Sequence, residues 1–175
     1  DKQHPMVVDM NGHSLYLEAN STQRSPIALA AYDEKGIRIA NSGAEKALTL
    51  RSTNTSTDVS SGAWGIHAPG QLRIDAPVVI DEVRSKGVYA FGVTTNGNAG
   101  SAPKITFNSD LTMKSLVSEY VDPNHKWDDG RYLTAITAVK DAHVTVKGNA
   151  DIRNVKGSIL RVTGTDGIID ISGGT

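Results

Sequence analysis

Short apolar segments separated by turn residues recur along the chain, and many of them alternate strictly between apolar and polar positions. The segments Gly36-Ile37-Arg38-Ile39-Ala40, Gln71-Leu72-Arg73-Ile74-Asp75, Lys104-Ile105-Thr106-Phe107-Asn108, His143-Val144-Thr145-Val146-Lys147 and Ile168-Ile169-Asp170-Ile171-Ser172 share this alternation. A period of two is the signature of a half-buried β-strand. It predicts that Leu72/Ile74, Ile105/Phe107, Val144/Val146 and Ile169/Ile171 point inward and stack as aliphatic ladders. Arg38, Arg73, Thr106, Thr145 and Asp170 then face water from the same strands.

Each alternating segment follows a shorter apolar one: Ile27–Ala30, Gly65–Ala68, Gly87–Ala90, Ala135–Ala138 and Ser158–Leu160. A third segment closes most units, at Ala47–Leu50, Val78–Asp81, Leu111–Lys114 and Ala150–Arg153. Anchors at Ile27, Ile66, Val88, Ile136 and Ile159 are spaced by 39, 22, 48 and 23 residues, so two units agree and two carry a long insertion. Three short strands in about 22 residues predict a right-handed parallel β-helix, an all-β solenoid with about three short strands per rung and long corner loops. Outward positions are then Ala28, His67, Tyr89 and Thr137 in the first sheet and Thr49, Val79, Thr112 and Asp151 in the third. A β-sandwich has no reason to repeat one three-strand order, and a left-handed hexapeptide helix would show a six-residue period. Met113–Tyr120 has at most one turn of helical character, crowded by Thr, Ser and Val and framed by no caps.

The whole chain, 1–175, is expected to be a single β-helix segment. Residues 1–26 make a partial N-terminal rung, in which Val7-Val8 and Leu15-Tyr16-Leu17 are the second and third strands around a turn at Gly12. Residues 27–172 make the repeated rungs, interrupted by loops at 51–62, 94–102 and 115–131. Only Ser172-Gly173-Gly174-Thr175 follows the last apolar position, so a longer stack is expected.

Composition narrows the function. With 18 Lys+Arg against 19 Asp+Glu, a net charge of −1, the chain lacks the basic excess of a nucleic-acid binder or a polybasic membrane anchor. The absence of cysteine removes disulfide scaffolds, zinc–thiolate sites and a cysteine nucleophile. There is no phosphate-binding loop and no dinucleotide fingerprint, and the five histidines have no ligand spacing. The segment 122–130 is rich in oxygen donors but fails the spacing of a calcium loop. Asp75 and Asp81 fall at strand ends, where turn roles prevail, and no two outward carboxylates occupy neighbouring rungs of one face. No catalytic residue, metal site or cofactor is therefore expected.

The segments "GAWGIHAPGQLRIDAPVVID" and "KGVYAF…KITFNSDLTMK", with their Gly/Asn/Asp corners, resemble the adhesin-like passenger domains of Gram-negative autotransporters (type Va secretion). The resemblance covers roughly Ile27–Ser172 and rests on structural motifs. It implies a β-helical stalk displayed outside the cell, attached to the membrane only through a C-terminal barrel absent from this sequence. Implied partners are a host-surface or matrix protein or glycan, or another copy of the chain, as in aggregation and biofilm formation. The Gly-Asp-Ser-Gly motif of the protease branch is missing. Alternatives are a carbohydrate-active β-helix enzyme, either lyase or hydrolase, and a phage tail-fibre-like structural segment.

If a binding site lies in this chain, the loop at 115–131 is the expected place. Tyr120 and Trp127 supply apolar surface, and His125, Lys126, Asp128, Asp129 and Arg131 supply directional polar groups. The loop at 51–62 leaves after the same strand and is expected on the same edge, two rungs away.

Overall fold

A computed structural model describes residues 4–97, 102–121 and 132–174. Strands account for 59% of these residues, and there is no helix among them. Sixteen strands follow in order: β1 (Met6–Asp9), β2 (Leu15–Ser21), β3 (Ile27–Ala30), β4 (Ile37–Ala40), β5 (Leu48–Asn54), β6 (Gly62–His67), β7 (Gln71–Ile74), β8 (Val78–Ser85), β9 (Tyr89–Asn96), β10 (Lys104–Phe107), β11 (Leu111–Met113), β12 (Leu116–Ser118), β13 (Leu133–Val139), β14 (His143–Ile152), β15 (Ser158–Thr163) and β16 (Ile168–Gly174). They form two sheets. One has eleven strands in the order β1-β4-β7-β10-β14-β11-β8-β5-β2, with β12 beside β8 and β16 beside β14. The other has five, in the order β15-β13-β9-β6-β3. Every pairing between named strands is parallel.

The architecture corrects the expected β-helix of three short strands per rung. The two sheets curl into a half-barrel. The segments read as second and third strands do not belong to separate sheets: β10 and β11 pair with opposite ends of the single ten-residue strand β14, which joins them into one sheet. Nor are the strands uniformly short, since β5 runs for seven residues and β8 and β9 for eight. The period of about 22 also fails. Register partners Leu29, Ile66, Val93, Ile136 and Leu160 are 37, 27, 43 and 24 residues apart. The anchors Ile27, Val88 and Ile159 were therefore out of register. The expected loop at 51–62 gives up Arg51–Asn54 to β5 and Gly62 to β6, and the loop at 94–102 gives up Thr94–Asn96 to β9. The loop at 115–131 contains β12, so Met113–Tyr120 is extended and not helical.

The ladder register of the large sheet does match the alternation. Ile39, Ile74, Phe107, Val146 and Ile171 are successive partners, as are Ile37, Leu72, Ile105, Val144 and Ile169. Leu48–Val78–Leu111–Ala150 and Leu50–Ile80–Met113–Ile152 form two more rows. Phe107, Ile74, Leu50, Ile80 and Met113 are completely buried. Burial of one such side chain stabilises by about 1.5–3 kcal/mol relative to exposure. The core thins at both ends, where Met6 is 57% and Ile168 is 47% exposed.

Turns at the sheet margins follow local chemistry. Asn11 and Gly12 both have positive φ, 46° and 74°, which a two-residue Asn-Gly turn accommodates. Where β5 and β8 end, Asn54 and Ser85 are register partners, and Ser118 follows in the same row. Asn54 Nδ2 donates to Ser61 Oγ, Gly87 N–H donates to Ser85 Oγ, and Ser118 Oγ donates to the Gly87 carbonyl. These bonds satisfy backbone and side-chain polar groups that the corner would otherwise bury unpaired. They also aim the chain into β6 and β9.

Candidate functional site

Just past those corners, the outward face of the small sheet carries four aromatic side chains. Trp64 and Phe91 are register partners on β6 and β9, and Tyr89 is the partner of Gly62. Trp64 stacks on Phe91 at a centroid distance of 5.8 Å and on Tyr89 at 6.5 Å, with Tyr89 and Phe91 6.3 Å apart. Tyr132 closes the group, edge-on to Tyr89 at 5.1 Å. All four rings are half-buried. Such offset and edge contacts contribute about 0.5–1.5 kcal/mol per pair beyond burial. Gly62 makes room for them, because a Cβ there would lie 2.5 Å from Tyr89 Cβ and 2.8 Å from the Trp64 ring.

Level with the rings the inward positions of this sheet are small, while Ile66, Val93 and Ile136 further along the strands are fully buried. Ala63, Ala90 and Ala135 are buried, and Gly65 and Gly92 sit against side chains arriving from the large sheet. A Cβ on Gly92 would meet Met113 Cε at 2.0 Å, and one on Gly65 would meet Ile80 Cδ1 at 3.3 Å. The large sheet thus fills the shared interior at this level, and the rings of β6 and β9 lie on the other face.

Beside the aromatics runs a polar row of register partners: His67, Thr94, Thr137 and Arg161. His67 Nδ1, Thr94 Oγ1 and Thr137 Oγ1 are shut away from water and have no hydrogen-bond partner among the described residues. Each desolvated, unpaired polar atom costs about 1–3 kcal/mol. Desolvation lowers the pKa of His67, so the neutral imidazole is favoured. Tyr32 packs edge-on against it at 5.7 Å.

The outward face of the large sheet is ionic. Asp75 accepts from Arg38 Nε at 2.7 Å, Arg73 Nε at 2.8 Å and Asn108 Nδ2 at 2.5 Å. Desolvation pushes this carboxylate up, but the bonds from Arg73, Asn108 and Arg38 outweigh it and hold its pKa at about 2. Glu82 is clamped in the same way: desolvation raises its pKa, and bonds from Arg84 and Arg51 more than reverse that. Both carboxylates are anchored anions, unsuited to donating a proton near neutral pH. The turn role expected for Asp75 is replaced by that of an ion-pair hub, and Asp81 pairs with Lys114 at 2.9 Å.

Of the predicted binding residues, the structure describes Tyr120 alone. Its ring is half-buried, and its backbone N–H donates to Ser118 Oγ at 3.3 Å. His125, Lys126, Trp127, Asp128, Asp129 and Arg131 lie outside the described residues. The edge itself is well defined. β5 and β12 flank β8, so Arg51–Asn54 and Leu116–Ser118 lie on one margin with one strand between them. β12 also packs against β9 and β13, which places this margin beside the small sheet. Sequence reading missed Trp64, Phe91 and Tyr132 as a group. It placed Tyr89 level with His67, whereas His67 pairs with Thr94, five residues further on. Ala28 likewise gives way to Ala30 as the partner of His67.

No protein-family model, curated protein or solved structure matches the chain. No helix among the described residues is long and apolar enough to cross a membrane.

Proposed function

We propose that the chain is an extracellular adhesive or self-associating segment of a Gram-negative surface passenger, non-enzymatic, which engages its partner through the outward face of the small sheet. The observation that carries this reading is the cluster of Trp64, Tyr89, Phe91 and Tyr132 on a face turned away from the core. Aromatic rings grouped on a rigid frame provide large contact area at low conformational cost, and binding hot spots are enriched in Trp and Tyr. The row of His67, Thr94 and Thr137 borders these rings. Tyr120, just past β12 on the margin beside the small sheet, is proposed as the rim of the same surface. A carbohydrate-cleaving enzyme is the less supported alternative, because the outward carboxylates Asp75 and Glu82 are committed to arginines.

The test is adhesion of beads coated with the purified chain, scored on host cells, on matrix and on beads of the same kind. The Trp64→Ala/Phe91→Ala variant is expected to lose at least about tenfold in bead retention while keeping its β-sheet circular dichroism. Undiminished adhesion of that variant would reject the small sheet as the binding face.

A further inference from the structure

The outward face of the large sheet holds a second feature, separate from the aromatic cluster. Four consecutive strands, β4, β7, β10 and β14, each present a nitrogen base there: Arg38, Arg73, Lys104 and His143. Arg38 partners Arg73, Lys104 partners His143, and Lys104 also partners Gln71, two residues before Arg73. Adjacent strands lie about 4.8 Å apart, so the bases form a stepped line across the sheet. A groove of about 360 Å³ follows part of this line, lined by Lys35, Arg38, Gln71, Arg73 and Lys104 among others.

The line carries more positive charge than the frame neutralises. Asp75 is shared by Arg38 and Arg73. Among the described residues, the side chains of Lys35 and Lys104 have no ion-pair partner. Arg38 and Arg73 stand directly opposite with the single carboxylate of Asp75 between them, so the pair keeps one net positive charge.

We propose that this groove binds an acidic polysaccharide, a chain of carboxylated or sulfated sugars laid across the strands. Its anionic groups would recur at an interval comparable to the strand spacing and so meet one base per strand. Arginine forks suit carboxylate and sulfate oxygens, and the Gln71 amide can bond sugar hydroxyls. Nothing in the groove favours a nucleic acid, since none of its lining residues is aromatic and able to stack a base. Its concave shape also disfavours a flat lipid surface.

Binding of the purified chain to immobilised heparin, polygalacturonate and neutral dextran, measured by surface plasmon resonance, tests the proposal. The expected result is retention on one or both polyanions and none on dextran. Retention on heparin alone assigns sulfate, and on polygalacturonate alone carboxylate. Raising the salt from about 50 to about 300 mM should weaken binding severalfold, because exposed charges are screened. Lys104→Glu should weaken it by about tenfold or more, and Lys86→Glu, the same charge change at another exposed site, by less than about twofold. Arg73→Gln supplies a second variant should Lys104→Glu disturb the fold by circular dichroism. The proposal is overturned by no retention on either polyanion, by equal retention on dextran, or by equal losses in the Lys104 and Lys86 variants. Capture of phosphatidylserine vesicles with both polyanions unbound would overturn it as well.

Discussion

Along β5 of the large sheet, buried and half-buried residues alternate without a break, with Leu48, Leu50, Ser52 and Asn54 inside. Along β6 and β9 of the small sheet, Ile66 and Val93 are buried, but level with the rings the inside positions shrink to Ala63, Gly65, Ala90 and Gly92, and the large rings of Trp64, Tyr89 and Phe91 lie outside. Both sheets are parallel and share one interior, so backbone geometry does not account for the difference. Side-chain volume does. Ile80 and Met113 reach across from the large sheet into space that Gly65 and Gly92 leave open. The large sheet keeps most of its large apolar side chains inside, and the small sheet divides them between a buried row, Ile66, Val93 and Ile136, and the outer rings.

If that contrast is right, the largest loss of stability should follow from a truncation inside the large sheet. Phe107→Ala removes a fully buried ring from the middle of a five-residue ladder. It should destabilise by about 3–5 kcal/mol in chemical denaturation. A loss below about 1 kcal/mol would mean that the ladders are not the core. Next comes the small sheet's inner face. Gly92→Ala would place a methyl 2.0 Å from Met113 Cε and 2.6 Å from the Ala135 carbonyl oxygen. Because the second neighbour is backbone, overpacking should cost about 1–3 kcal/mol, measurable as a lower denaturation midpoint. A neutral result would show that the two sheets are less closely fitted at this point.

The outer aromatics should matter less to stability. Trp64→Ala/Phe91→Ala is expected to cost about 1–2 kcal/mol, the value of a partly exposed stack and not of a core ring. The smallest effect concerns the ionic face. Asp75 has its pKa lowered to about 2 from the ordinary 3.8, so its ion pairs contribute stability above about pH 4 that fades as the pH falls towards 2. With Arg38 and Arg73 side chains 43% and 55% exposed, that contribution should not exceed about 1 kcal/mol. Asp75→Asn should flatten the acid limb of the stability curve between those values, and an unchanged limb would assign the acid sensitivity to other carboxylates.

The ladders of the large sheet were legible in the sequence because the short strands alternate between apolar and polar positions. Leu72/Ile74, Ile105/Phe107 and Val144/Val146 fall into register without any knowledge of the rest of the molecule. What escaped was the number of sheets. Whether β10 and β11 are separate depends on β14 continuing as one strand past the corner at Ser109-Asp110, which is a property of the pairing partner. The small sheet was misregistered for a related reason. Gly65-Ile66-His67-Ala68 and Gly87-Val88-Tyr89-Ala90 look alike locally, yet Ile66 and His67 pair with Val93 and Thr94. Gly65 and Gly92 are set by Ile80 and Met113 on the opposite sheet, and no local pattern records that constraint. The aromatic cluster was hidden along with the register, since Trp64, Phe91 and Tyr132 become neighbours only once the strands are paired. The shared margin of Arg51–Asn54 and Leu116–Ser118 was legible, because insertions after one strand type mark an edge whatever they contain.

Recognition by the outer face of the small sheet should be separable from the stability conferred by the large sheet's inner face. Bead adhesion and denaturation midpoint, measured together on Trp64→Ala/Phe91→Ala and on Phe107→Ala, separate the two. Opposite patterns are expected. The outer double variant should lose about tenfold or more in adhesion with a small drop in midpoint, and Phe107→Ala should lose stability heavily while adhering normally wherever it remains folded. Full adhesion by the outer variant, accompanied by a stability loss as large as that of Phe107→Ala, would contradict it.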